Sequence, residues 1–178
     1  MPMAAFNVLA ISGSLRALST NTAMLRMAQS CVPEGVHLQI FEELAHLPLF
    51  NPDLEENEPP SVQRLRTAIG RADALLLASP EYAHGISGVL KNALDWMVSS
   101  GVFAGKPIAL WNASPRASLG LAALRQSLHA MSACLVASAD LELLIKPAEP
   151  GHLQVNPGPA AMHAALECLE LSCASDLT

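Results

Sequence analysis

The clearest pattern of apolar and polar positions runs from Ala72 to Met97, ADALLLASPEYAHGISGVLKNALDWM. Ala74 to Ala78 is an unbroken apolar run, as expected of a parallel strand covered on both faces, and Pro80 ends it. Glu81 to Gly88 carries two glycines and no apolar period, which predicts an irregular loop. Leu90, Ala93, Leu94 and Met97 then fall at i, i+3, i+4 and i+7, predicting a helix with one buried stripe. Trp96 lies off that stripe, on a flank that fits a subunit contact better than a second core face.

Strand, loop and helix recur in that order along the chain. Phe6 to Ile11 is apolar and leads through Ser12-Gly13-Ser14-Leu15-Arg16 into a helix carried by Met24, Leu25 and Ala28. His37 to Phe41 reads as a second strand and Glu42 to Asn57 as an acidic, proline-punctuated loop. Ser61 to Ala72, with Val62, Leu65, Ala68 and Ile69 on one face, reads as a helix. Pro107 to Trp111 predicts a strand, Asn112 to Leu119 a polar loop, Leu121 to Met131 a helix and Cys134 to Ala139 a fifth strand. Pro159 to Leu171 predicts a last helix, after a loop rich in proline and glycine. The alternation predicts one domain over residues 1–178, a doubly wound α/β sandwich on a five-stranded parallel sheet. The two richest loops follow the first and third strands, which fits the flavodoxin-like order 2-1-3-4-5, whose switch point lies between them.

Composition narrows the function. Of 178 residues, 51% are hydrophobic and 15% charged, and the mean hydropathy of +0.32 suits a two-sided sheet or a sizeable subunit contact. No apolar run approaches the roughly 18 residues of a membrane span, and the opening residues read as the first strand, not a signal peptide. A net charge of −6 without a Lys/Arg cluster argues against nucleic acid. Four cysteines without a C-x-x-C pair point to a reducing cytoplasm, and six scattered histidines lack metal-ligand spacing, so no metal is expected.

The first loop carries the most specific chemistry. A strand, a Gly/Ser loop and a helix together aim free backbone N–H groups and a positive helix end at an anion. Ser14, Arg16, Ser19, Thr20 and Asn21 add donors that match a phosphate's oxygens. A plain helix cap by Ser19 or Thr20 is the alternative, although a cap has no use for the arginine. Neither G-x-G-x-x-G nor G-x-x-x-x-G-K-[ST] is present, leaving a mononucleotide-type phosphate as the expected guest.

Gly13-Ser14-Leu15-Arg16 with Ser19 and Asn21, then Pro80-Glu81-Tyr82, then Gly88-x-Leu90-Lys91-Asn92-Ala93-x-Asp95-Trp96, resembles the NAD(P)H-dependent FMN reductase family of quinone, azo and chromate reductases. The resemblance extends to about residue 135 and is thinner beyond. It implies a flavodoxin-like fold, a non-covalent FMN and NADPH or NADH as donor. The implied acceptor is a small molecule (a quinone, free flavin, azo dye or chromate), reduced by a ping-pong mechanism. Carried over by residue, it assigns the phosphate to the loop of Ser14, Leu15, Arg16, Ser19 and Asn21. The flavin ring edge and ribityl chain go to Pro80, Glu81, Tyr82, Ala83, His84 and Gly85, with one more contact from Ser114. The chain departs from the pattern at Ala83, where Asn is common, at Gly85, where Ser is frequent, and at Ser87, where Pro is frequent. It also lacks a Gly-Gly in the third loop, having Ala117 to Gly120 there.

Other readings of these residues remain. Tyr82 either bounds a flavin or packs with its hydroxyl wet. His84 reads as a loop residue that nothing orients, and Lys91 with Asp95 as a helix-surface pair, which the resemblance sets near a subunit contact in a homodimer or homotetramer. Gly85-Ile86-Ser87-Gly88 imitates a nucleophile elbow but has Val89 where the last glycine belongs, so a hydrolase using Asp140 and one of His129, His152 or His163 is disfavoured. A flavodoxin-type electron carrier shares fold, cofactor and acidity, but its phosphate loop is usually richer in threonine and without the arginine.

Overall fold

In the computed structural model, which describes residues 5–114, 118–149 and 152–175, the sheet has the expected core. Phe6–Ser12 (β1) lies between Val36–Ile40 (β2) and Ala74–Ala78 (β3), all parallel, with Leu9 in register with Gln39 on one side and Leu75 on the other. The short strands Glu81–Tyr82 (β4) and Gly85–Ile86 (β5) pair only with each other. Pro107–Asn112 (β6) joins β3 in parallel and carries Cys134–Leu135 (β7) and Leu141–Glu142 (β8) on its far edge. The order β2-β1-β3-β6-β7 is the flavodoxin-like one.

Alternate residues of the central strands feed two cores, as the two-residue period of a strand requires. Val8, Ala10, Leu76, Ala109 and Trp111 pack under the helices Thr20–Gln29 (α1) and Pro159–Ser175 (α5). Leu9, Ile11, Leu75, Leu77, Ile108 and Leu110 pack under Pro60–Arg71 (α2), Gly88–Met97 (α3) and Ser118–Ala130 (α4). An unbroken apolar run such as Ala74 to Ala78 is what two-sided burial demands, and all five residues are buried.

The fifth strand differs from the expectation of Cys134 to Ala139. It is two short pieces separated by a 3-10 turn at Ala137–Ala139. Side chains fill the gap: Asp140 Oδ1 accepts from the Leu110 N–H at 2.7 Å, and the Trp111 indole donates to the Ala139 carbonyl at 2.9 Å. Asp140 also pairs with Arg125, so it serves the sheet edge and not a hydrolytic triad. The proline- and glycine-rich segment before α5 contains an antiparallel pair, Leu144–Glu149 (β9) and His152–Asn156 (β10), where a loop was expected.

Trp96 is the larger correction. Its side chain is 1% exposed and belongs to the chain's own core, not to a surface flank. The acidic loop of residues 42–57 folds back over α3 and covers it. The indole N–H donates to the Pro48 carbonyl at 2.8 Å, and Phe50 meets the ring edge-on at 5.1 Å. Asn92, one turn earlier, donates to the same carbonyl at 2.9 Å and accepts from the Phe50 N–H at 2.8 Å. Two donors on one carbonyl oxygen use both its lone pairs. Lys91 and Asp95 form the helix-surface ion pair that their spacing suggested. Trp96→Phe keeps a ring but removes the indole donor and part of the volume. It is expected to lower unfolding stability by about 1–3 kcal/mol in urea titrations without changing the sedimentation behaviour of the folded protein.

Candidate functional site

Three loops meet at the carboxyl ends of β1, β3 and β6, the place where open α/β sheets bind ligands. The first leaves β1 through Gly13, whose N–H donates to the Ala78 carbonyl at 2.7 Å and carries the ladder one residue past the strand. A Cβ on Gly13 would stand 2.8 Å from Ser87 Oγ and 3.1 Å from Ser79 Oγ, so a larger residue would push aside the hydroxyls that border this loop at the start of α3. Ser14 Oγ accepts from the Arg16 N–H, and the Arg16 carbonyl accepts from the Ser19 N–H, closing a turn that leaves Leu15 and Arg16 exposed. Ser19 is the N-cap of α1, its Oγ accepting from the Thr22 N–H at 3.2 Å. The cap reading of Ser19 is therefore realised, and it leaves the hydroxyl hydrogen free to donate to an anion as well.

The second loop is more regular than its sequence suggested. Glu81 to Ile86 forms a tight hairpin in which Ala83 and His84 occupy the turn with φ of 49° and 60°. Positive φ at both central residues is the geometry that matches the twist of a two-residue hairpin, and it favours Gly, Asn or Asp. Alanine carries a Cβ penalty there with no compensating side-chain bond. The turn holds Tyr82, Ala83 and His84 out toward solvent, Tyr82 being 53% exposed.

The third loop approaches the hairpin through the first turn of α4. The Gly120 N–H donates to Glu81 Oε2 at 2.7 Å, and a Cβ on Gly120 would come within 2.9 Å of the Gly85 carbonyl oxygen. His84 Nδ1 lies 3.2 Å from Glu81 Oε1, so the imidazole is oriented after all, though its side chain is 79% exposed. The Gly120 N–H, and behind it the neighbouring histidine, hold the Glu81 carboxyl below its ordinary value of 4.5. The Glu81 side chain is thus committed to pinning the hairpin onto a helix start, where a carboxylate is favoured.

These loops enclose two hollows. One, about 300 Å³, is lined by Thr20 and Asn21 of α1, Ser79 to Glu81, and Asn112 to Ser114. The other, about 470 Å³, lies between Gly13 to Arg16, Tyr82 and Ser87 to Val89. Of the residues singled out in the sequence, Asn21, Pro80, Glu81 and Ser114 gather around the first, and Ser14, Leu15, Arg16 and Tyr82 around the second. Ser19 stands behind as the cap, while Ala83, His84 and Gly85 form the hairpin turn and line neither hollow. Arg116 and Ala117 lie outside the described residues. Three buried polar atoms at this end have no partner among the described residues: Asn21 Oδ1, Ser87 Oγ and Asn112 Nδ2. Orphaned polar atoms beside a hollow at a helix start fit a phosphorylated guest with several acceptors and hydroxyls. Ser87, 1% exposed and packed on Gly13, is no exposed nucleophile. Asn112 and Ser79 were missed in the sequence; the only signal was a polar residue at the end of each apolar run. A larger groove of about 770 Å³ lies between β2 and α2, but it includes no residue of the three loops. Among the described residues no three His, Cys, Asp or Glu side chains gather to hold a metal, and no helix is long and apolar enough to cross a membrane.

Comparison with known proteins agrees with this fold. Residues 6–143 match the model of the NADPH-dependent FMN reductase family, and the chain belongs to that family. It is 46% identical over 110 residues to an NAD(P)H-dependent FMN reductase of Pseudomonas aeruginosa, covering 60% of this chain and 59% of that protein. It is 38% identical over 130 residues to a quinone reductase of Pseudomonas putida, covering 69% of each. Among solved structures it resembles the flavoenzyme NAD(P)H:(acceptor) oxidoreductase of Paracoccus denitrificans, with a TM-score of 0.68, 31% identity and coverage of 74% of this chain and 75% of that one. The aligned region thus spans under two thirds of the Pseudomonas aeruginosa relative.

Two outcomes test the local geometry. Ala83→Asn supplies a residue that tolerates positive φ, and it is expected to raise stability by about 0.5–1 kcal/mol in urea titrations. Because the folded-state pKa of Glu81 is lowered, its contribution is complete above the ordinary value of 4.5 and is lost as pH falls through the lowered one. Glu81→Gln should accordingly flatten the fall in urea midpoint below pH 4.5, compared with the wild type.

Proposed function

We propose that the chain is an FMN-dependent oxidoreductase that takes electrons from NADPH or NADH and gives them to a small acceptor of the quinone kind. The observation that carries this reading is the convergence of the three loops at the carboxyl end of the sheet, in a chain whose family match covers residues 6–143. The redox chemistry is supplied by FMN when bound. The protein's work is to bind, orient and shield it.

In this reading the phosphate is held by the leading N–H groups of α1, by Ser14, Ser19 and Asn21, and by Arg16, which forms no ion pair among the described residues. Pro80, Glu81, Tyr82 and Ser114 would border the ring and the ribityl chain, with Ala83, His84 and Gly85 forming the turn beside them. Backbone groups serve this purpose, because the Glu81 carboxylate is occupied by Gly120. With FMN bound, fixed backbone donors of this loop would favour negative charge on the part of the cofactor they meet. The exposed Tyr82 ring and its neighbour Leu15 give an apolar rim against which a planar nicotinamide or quinone stacks in turn. A shared stacking face admits the two substrates alternately, hence a ping-pong order. We further propose that residues 1–178 act as one cytoplasmic domain in a homodimer or homotetramer. The support for assembly now comes from the exposed Leu49 and Val98 and no longer from Trp96.

Arg16→Ala is expected to weaken FMN binding by roughly ten- to a hundredfold, the equivalent of one charge-assisted bond. Unchanged affinity in the folded variant would move the phosphate elsewhere. Initial rates against NADPH at several quinone concentrations should give parallel lines, with His84→Ala lowering kcat/KM by far less than the roughly 10⁴-fold of a triad member. Intersecting lines would overturn the alternating order, and no NADPH oxidation with any quinone would favour an electron carrier.

A further inference from the structure

Asn112 is the last residue of β6, 3% exposed, and it lines the smaller hollow together with Thr20 and Asn21. Its amide orientation is fixed by the backbone. Oδ1 accepts from the Ser114 N–H at 3.0 Å, and the reverse orientation would set an N–H₂ group against that N–H donor. The end left over is therefore Nδ2, a donor, and it is buried with no partner among the described residues. Buried donors are nearly always satisfied, so an orphan at a ligand-binding end of a sheet asks for an acceptor from outside. Across the hollow stands the start of α1, whose leading amides, those of Thr20 and Asn21, have no intrahelical acceptor. The Asn21 amide also ends in an unpartnered buried atom, but no hydrogen bond among the described residues fixes its orientation, and it can turn to present a donor. Residues that carry these donors thus line the hollow at the start of α1 and at the end of β6. The acceptor that satisfies both at once is an anionic group with several oxygens.

We propose that Asn112 is a further cofactor-binding residue, its Nδ2 donating to the FMN phosphate from the β6 side opposite α1, and that this contact makes the site prefer FMN to riboflavin. The proposal rests on the phosphate lying at the start of α1, as argued above. Ser114 then contributes indirectly, through the backbone N–H that holds the Asn112 amide in place.

The test is a fluorescence titration of FMN and of riboflavin into the FMN-stripped protein, wild type against Asn112→Asp. Aspartate has the same shape, keeps an acceptor for the Ser114 N–H, and replaces the donor by a negatively charged oxygen. FMN affinity is expected to fall at least roughly tenfold, the scale of one lost charge-assisted bond, with riboflavin affinity nearly unchanged. FMN affinity equal to wild type would overturn the proposal, meaning that water satisfies Nδ2. An equal loss for both ligands would overturn it too, assigning Asn112 to the ring or to loop shape. If the aspartate variant does not fold, Asn112→Ala is titrated and judged in the same way. Arg16→Ala run alongside separates the two ideas. Loss of FMN preference in Asn112→Asp but not in Arg16→Ala would retain Asn112 and reject Arg16. A wild type that binds both ligands equally would reject the phosphate site and this inference with it.

Discussion

The carboxyl end of the sheet depends on the close approach that two glycines allow between its three loops. At Gly120 the absence of a side chain lets α4 come close enough for its N–H to reach the Glu81 carboxylate at 2.7 Å, with the Gly85 carbonyl just outside. At Gly13 the same absence lets the first loop rest on Ser79 and Ser87. A methyl group at either position would have to displace packed neighbours. At Gly120 the nearest obstacle is a backbone carbonyl, so an added carbon there would shift the hairpin, whereas at Gly13 it would press on the serine hydroxyls.

Glu81 shows how charge and packing act together there. A carboxylate at a helix start meets unpaired N–H groups and the positive end of the helix dipole, and both favour its ionised form. The lowered pKa expresses that preference. The hairpin it anchors contains two non-glycine residues at positive φ, a conformation with an intrinsic cost. Pinning by Gly120 and by His84 offsets that cost and keeps the exposed turn, with Tyr82 before it, in one position relative to the first loop.

A second constraint lies behind the site. The loop of residues 42–57 is anchored through the Pro48 carbonyl, which receives the Asn92 amide and the Trp96 indole together. This fixes α3 from its outer side while Leu90, Ala93, Leu94 and Met97 fix it from the core. Both ends of the motif Leu90 to Trp96 thus serve to hold one helix, and that helix begins directly after the hairpin. The family likeness at these positions reflects the support of the site as much as any contact with a ligand.

By itself the sequence determined the order of the main elements, the two-sided burial of the central strands and the flavodoxin-like strand order. Each of these is written in patterns a few residues long: an apolar run, a 3.6-residue period, a strand followed by a Gly/Ser loop and a cap. What only the tertiary structure decided involves partners far apart in the chain. Trp96 reads as a surface residue until a carbonyl 48 positions earlier covers it, and the Glu81 side chain reads as unengaged until a helix start 39 positions later takes its carboxylate. The fifth strand is split because Asp140 supplies its side chain to a backbone N–H 30 positions away, and Asn112 becomes visible only when α1 closes the hollow opposite it. Local patterning reports which side of an element is buried. It does not report which distant group each buried polar atom will meet, because that is fixed only when the loops close.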